Sequence, residues 1–236
     1  AYAGYGLLVT TRLRQYDRGL EVSHLLKQLI NKYQSNKNRS FVALISNTFL
    51  EHPKHHIGEK IESLKKAYYL GWQKGEVNFT TLVGFVYTYF SFYQGSPLSG
   101  LMKELDKIRE RSRSVHQELA LHRMDIYQQT FINLNQNVEK PTSLIGKIFD
   151  ENEIVPSKLE KDKTFIFYQF LTNKILLCYL FGEYLNASYY SLENEQYKNT
   201  AQGSYMERIY CFYSALSYCK AYEIKDHWKK NLRGKQ

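Results

Sequence analysis

The stretch TFIFYQFLTNKILLCYLFGEYLNASYYSL, residues 164–192, decides the fold. It reads as two helices joined by a tight turn at Gly182-Glu183. The first helix is apolar on nearly every side, so it is stable only when neighbours cover both of its faces. The second carries a thinner stripe, Tyr184, Ala187, Ser188 and Ser191, whose small residues let it sit close against the first. One such hairpin cannot bury itself, and the rest of the chain supplies further copies.

Composition agrees with that picture. In 236 residues, 43% of them hydrophobic, there is ample material for a buried core. With 13 Gly and 4 Pro there are few breakers, which predicts an all-α chain of long helices and short connections. The 21 Tyr and 13 Phe fall mostly inside periodic segments, as expected for helix seams in which a tyrosine buries its ring and keeps its hydroxyl wet. Cys178, Cys211 and Cys219 lie in apolar helical stretches without CxxC or finger spacing, so they read as small core residues in a reducing, cytoplasmic setting. Neither a membrane span nor a basic-then-apolar leader is expected. The chain opens on Ala1 in the middle of a helical pattern, which suggests a piece of a longer protein.

Apolar positions recur at helical spacing from end to end. Residues 1–14 place Tyr2, Tyr5, Leu8, Val9 and Leu13 on one side, and residues 20–33 carry Val22, Leu25, Leu26, Leu29 and Ile30. The helix over 41–50 stops near Pro53, and that over 57–72 ends at Gly75. Residues 79–93 are apolar all round and end at Gly95-Ser96-Pro97, with Ser96 as N-cap and Pro97 opening a polar partner over 98–113. Residues 119–134 and 205–222 are further helices, and 143–150 is a candidate short one. The hairpin turns near Tyr16, Ile57, Pro97 and Tyr184 are spaced by about 40 residues, the last gap being about twice that. A single domain over 1–236 is expected, an α-solenoid of antiparallel hairpins at 1–34, 40–75, 77–114, 118–150, 163–199 and 203–236.

The paired small residues Gly6 with Gly19, and Gly182 with Ala187, resemble degenerate tetratricopeptide repeats, although the period is longer than the usual ~34 residues. A closer resemblance rests on Gly4-Tyr5-Gly6-Leu7, Phe49-Leu50-Glu51-His52, Leu119-Ala120-Leu121-His122, Ser143-Leu144-Ile145-Gly146 and the run 173–181. This order is similar to the helical linker of large cyanobacterial-type signalling proteins. In that family a serine/threonine kinase-like domain and a P-loop predicted ATPase precede the linker, and GAF and histidine-kinase domains follow it. The resemblance implies a scaffold between a nucleotide switch and an output kinase, with no catalytic residue in this segment.

Chemistry-bearing clusters are few. His52, His55 and His56 stand beside Glu51, a set that would suit zinc or nickel, but Pro53 and Lys54 interrupt it and the spacing is not HExxH. Asp150, Glu151 and Glu153 are expected on an exposed loop between Lys147 and Lys158. Gly146-Lys147 lacks the rest of a phosphate loop, so no nucleotide or other cofactor is indicated. The aromatic stripe Tyr87, Tyr89, Phe90, Phe92 and Tyr93 reads as packing before it reads as a stacking platform. The net charge of +9 raises the question of nucleic acid. The signs interleave over 103–111, as on a solvated face, and only Lys225, Lys229, Lys230, Arg233 and Lys235 form a basic run.

These readings point to a non-catalytic scaffold whose concave face binds another protein or a neighbouring domain of the same polypeptide. Three alternatives stay open: a basic nucleic-acid-binding helical repeat, a metal-dependent helical enzyme using His52, His55 and His56, and a small-molecule sensor pocket lined by tyrosines.

Overall fold

The computed structural model describes residues 1–33, 38–154 and 165–233, and among them helices account for nearly all regular structure. In order they are α1 (Tyr2–Thr11), α2 (Tyr16–Lys32), α3 (Arg39–Ile45), α4 (Gly58–Gln73), α5 (Val77–Gln94), α6 (Leu98–Ser114), α7 (Glu118–Asn135), α8 (Glu151–Ile154), α9 (Phe165–Leu180), α10 (Tyr184–Asn194) and α11 (Tyr205–Arg233). A π-helical turn, Ser46–Glu51, continues α3, and a 3-10 turn, Glu195–Thr200, follows α10. The described residues contain no strand; Ile145 and Asp150 form one isolated antiparallel bridge. That bridge occupies the segment 143–150, where a short helix is expected, and Asn133 Nδ2 donates to the carbonyls of Pro141 (3.0 Å) and Ser143 (2.7 Å) just before it. A side chain from α7 thus holds the turn in which Ser143 N–H donates to Lys140 O (3.0 Å).

Helix ends follow a repeated device. Gly75, Gly95 and Gly182 take a left-handed backbone, and in each case the next N–H reaches back to a carbonyl five residues earlier. Carbonyls that the last turn leaves without partners are satisfied there. His116 does the same after α6 at φ 54° despite its side chain. Pro97 stands one place earlier than expected, as the N-cap of α6.

The chain forms two compact units. The first comprises 1–131 with 202–205, and the second 132–201 with 206–236. In the first unit α1 packs on α2, α4 on α5 and α5 on α6, while α3 lies against both α4 and α5. Ala3, Val22, Leu26, Val42, Ile45 and Leu50 form one apolar cluster. Phe85, Tyr89, Phe92, Tyr127 and Phe131 form an aromatic one, with ring centroids 4.9–6.3 Å apart. Each such ring contributes about 0.5–1.5 kcal/mol beyond its burial when paired edge to face. Glu76 caps α3, its carboxylate accepting from the backbone N–H groups of Arg39 (3.1 Å) and Ser40 (2.7 Å).

The inward face of α1 shares only Val9 with the expected stripe. Ala3, Gly6, Val9 and Thr10 are buried, whereas Tyr2, Tyr5, Leu8 and Leu13 are exposed. The cause is closeness: a Cβ on Gly6 would come 2.8 Å from Val22, and one on Gly19 would come 2.1 Å from the Thr10 hydroxyl. Only the small-residue side of α1 fits against α2 at that distance. Gly182, by contrast, has open space around it and serves its turn through φ +82° alone.

In the second unit α9 is the central helix, buried without interruption from Ile166 to Cys178. Some of its polar side chains bond back to the helix itself: Thr172 Oγ1 donates to Tyr168 O (2.8 Å), and Asn173 Nδ2 to Gln169 O (2.8 Å), while Asn173 Oδ1 and the Tyr168 hydroxyl have no hydrogen-bond partner among the described residues. Asn194 from α10 donates to Tyr168 O at 3.2 Å. Ala187 and Ser191 of α10 are the residues that close on α9. Cys178 is buried, but Cys211 and Cys219 lie on the exposed side of α11, which corrects their reading as core residues.

Candidate functional site

The three histidines diverge. His52 is buried, with Nε2 2.9 Å from the carbonyl of Gly203 and its ring edge-on to Tyr205 at 5.9 Å between centroids. His55 is half-buried, its Nδ1 3.3 Å from Glu59 Oε2, and Nδ1 of the exposed His56 accepts the N–H of Gly58 at 3.2 Å. Among the described residues no group of three or more His, Cys, Asp or Glu side chains is placed to hold a metal. Their neighbour Glu51 is turned inward instead. It lies at the end of the π-helical turn between Lys60 (2.9 Å), Lys27 and the hydroxyl of Ser23 (2.5 Å). Burial raises its carboxyl pKa, but the hydrogen bonds from Lys27, Ser23 and Lys60 outweigh burial and bring it down to about 2.

The acidic segment 150–153 is not a uniformly exposed loop. Glu151 is half-buried and meets the buried Lys174 Nζ at 3.0 Å, while Nζ also donates to Thr142 O at 2.7 Å and stands 5.1 Å from the Tyr190 ring centroid. A lysine on so apolar a helix is tolerated because a carboxylate, a carbonyl and a ring face all meet it. Arg109, within the segment read as a solvated face, is likewise buried, with Nη2 2.6 Å from Asp125 Oδ1 and Nη1 3.0 Å from Asp106 Oδ1. Tyr87, Tyr89 and Phe90 are buried in the first unit. Lys225 is exposed; the side chains of Lys229, Lys230, Arg233 and Lys235 lie outside the described residues.

A groove open to a partner lies in the second unit between α10 and α11, about 470 Å³ in volume. Leu185, Tyr189 and Leu192 line one wall at a spacing of four and three, and Tyr218, Ala221 and Tyr222 line the other. Leu192 is 70% exposed, Tyr222 72% and Tyr189 64%. Ser188 Oγ donates to Ser217 O at 3.1 Å and ties the two walls at their base. Lys225 is the charged residue of the lining. The inward stripe of α10 is legible in the sequence; this outward stripe is missed, although the spacing of Leu185, Tyr189 and Leu192 is itself helical.

Fold and groove together define an all-helical protein with an open apolar channel on one hairpin. The chain matches no protein-family model, no curated protein and no solved structure. Among the described residues no helix is long and apolar enough to cross a membrane.

Proposed function

We propose that this chain is a non-catalytic interaction scaffold, a tetratricopeptide-like α-solenoid segment that couples signals within a larger assembly. Its groove between α10 and α11 receives an amphipathic helix from a protein partner or from a neighbouring domain of the same polypeptide. The observation that carries this is the exposure of Leu185, Tyr189, Leu192, Tyr218 and Tyr222 in one channel. Contiguous apolar surface of that kind is a common mark of an interaction site.

The magnitudes allow it. Covering five large side chains contributes about 1.5–3 kcal/mol each if burial is complete. Association costs roughly 4–15 kcal/mol in lost freedom, so a helix presenting apolar residues at i, i+3 or i+4, and i+7 would bind moderately and reversibly. Reversible engagement suits a segment that passes a bias from an upstream nucleotide switch to a downstream kinase, the context implied by the resemblance to helical linkers of multidomain signalling proteins.

A display library of helical peptides selected against the intact chain tests this. Enriched peptides should carry one apolar stripe, and both Leu192→Asp and Tyr222→Asp should weaken them at least tenfold while leaving helical circular dichroism unchanged. Peptides that bind both variants as well as they bind the parent, or a selection that enriches none, would overturn the proposal.

A further inference from the structure

A second concavity lies in the first unit, where α2, α4 and the run from α3 into the π-helical turn form three walls around a volume of about 340 Å³. Its apolar floor comes from Ile30, Val42, Ala43, Ala67 and Leu70. Its ionisable residues are all of one sign: Lys27 from α2, Arg39 from α3 and Lys66 from α4. Lys27 is engaged with Glu51, whereas the half-buried Arg39 and the exposed Lys66 make no ion pair with a described residue. Three helices thus each bring a cation to the rim of one apolar pocket that contains no acid.

Asn47 adds an independent observation. It lines the same pocket from the π-helical turn and is 1% exposed. Its Nδ2 donates to Ala43 O at 2.7 Å, while its Oδ1 has no hydrogen-bond partner among the described residues. A buried acceptor left in that state costs about 1–3 kcal/mol; an anionic head carries no donor for it, so a ligand relieves the defect only through a hydroxyl or amide N–H on its apolar body. A π-helical turn is itself a rare insertion that recurs where a helix must present a functional side chain.

We infer that this pocket binds a small organic anion with an apolar body, such as an alkyl or aryl carboxylate or phosphate monoester. The body occupies the floor between Val42, Ala67 and Leu70, and the charged head lies between Arg39 and Lys66, with Lys27 behind it. Volume and lining match small-molecule sites, which are mostly apolar with a few placed polar groups. Lys66 and Arg39 come from different helices, so an anion held between them also fixes α3 relative to α4. Occupancy should therefore stiffen the first unit.

Octyl phosphate is a suitable probe, with octanol and inorganic phosphate as its separated halves, measured by calorimetric titration and thermal melting of the full chain. Octyl phosphate should bind saturably and raise the melting temperature, and each half alone should bind at least tenfold more weakly. The double variant Arg39→Gln/Lys66→Gln should lose at least tenfold in affinity, and Ala67→Phe, which fills the floor, should lose as much. Lys103→Gln/Lys107→Gln removes the same charge from exposed positions of α6 and should bind as the parent does. Leu192→Asp should also leave binding intact, so failure of the groove proposal and failure of this one are separable. Absence of saturable binding, equal loss in both double variants, or affinity unchanged by Ala67→Phe would overturn the assignment.

Discussion

Lys60 Nζ lies 2.9 Å from Glu51 Oε2, and the two side chains are only 11% and 3% exposed. Glu51 is the point at which α2, α4 and the π-helical turn are tied, because Lys27 and Ser23 reach it from α2. Its pKa of about 2 stands below the ordinary 4.5, so as pH falls the unfolded chain takes up this proton first. The stabilisation is complete above about 4.5 and is lost as pH falls through about 2. The shift corresponds to about 3 kcal/mol. Glu51→Gln should therefore flatten the acid limb of the stability curve in that window. At neutral pH it should cost about 3–5 kcal/mol, since Lys60 is left buried without a counter-charge. Denaturant midpoints measured from neutral pH downward provide the check, and an unaltered acid limb would contradict it.

Gly84 of α5 faces the Tyr68 ring, and a Cβ there would come 2.8 Å from two of its carbons and 3.0 Å from Ile108. Gly84→Ala should force α4, α5 and α6 apart locally and lower stability by about 1–3 kcal/mol. Gly100, in the first turn of α6, has open space around its Cβ position. Gly100→Ala should leave contacts intact and raise stability by up to about 1 kcal/mol through helix propensity. Opposite shifts of the urea midpoint are the expected readout.

Thiol reactivity should divide the cysteines. Burial pushes the Cys178 thiol up to about 12, whereas Cys211 and Cys219 are exposed. An aromatic disulfide reagent at mildly alkaline pH should titrate two thiols in the folded chain and all three in denaturant. Prompt reaction of the third thiol in the folded chain would show that α9 is not enclosed.

Much of the helical layout is legible before any coordinates are seen. The run that becomes α9 is apolar on all sides, and such a run has no stable state other than enclosure. Its end at Gly182, like the ends at Gly75 and Gly95, is marked by the residue that most readily adopts a left-handed backbone. The face of α1 is not legible. Both of its sides carry acceptable apolar residues, and only the approach of Val22 and Thr10 selects the small one. The open groove is hidden for a related reason: Leu185 and Tyr189 look like core residues until the helices that bury their neighbours prove to lie on the other side of α10.

The sequence by itself determined where most of the longer helices run and stop, because their hydrogen bonds close within four or five residues and their breakers act locally; the segment 143–150, expected as a short helix, is the exception. Tertiary structure alone decided which stripe of each helix meets water, that His52 turns to Gly203 while His55 and His56 do not, and that Glu51, Arg109 and Lys174 are buried with partners. Those outcomes depend on groups brought together from distant positions. Desolvation and charge pairing act through distance in space, which residue order does not encode locally.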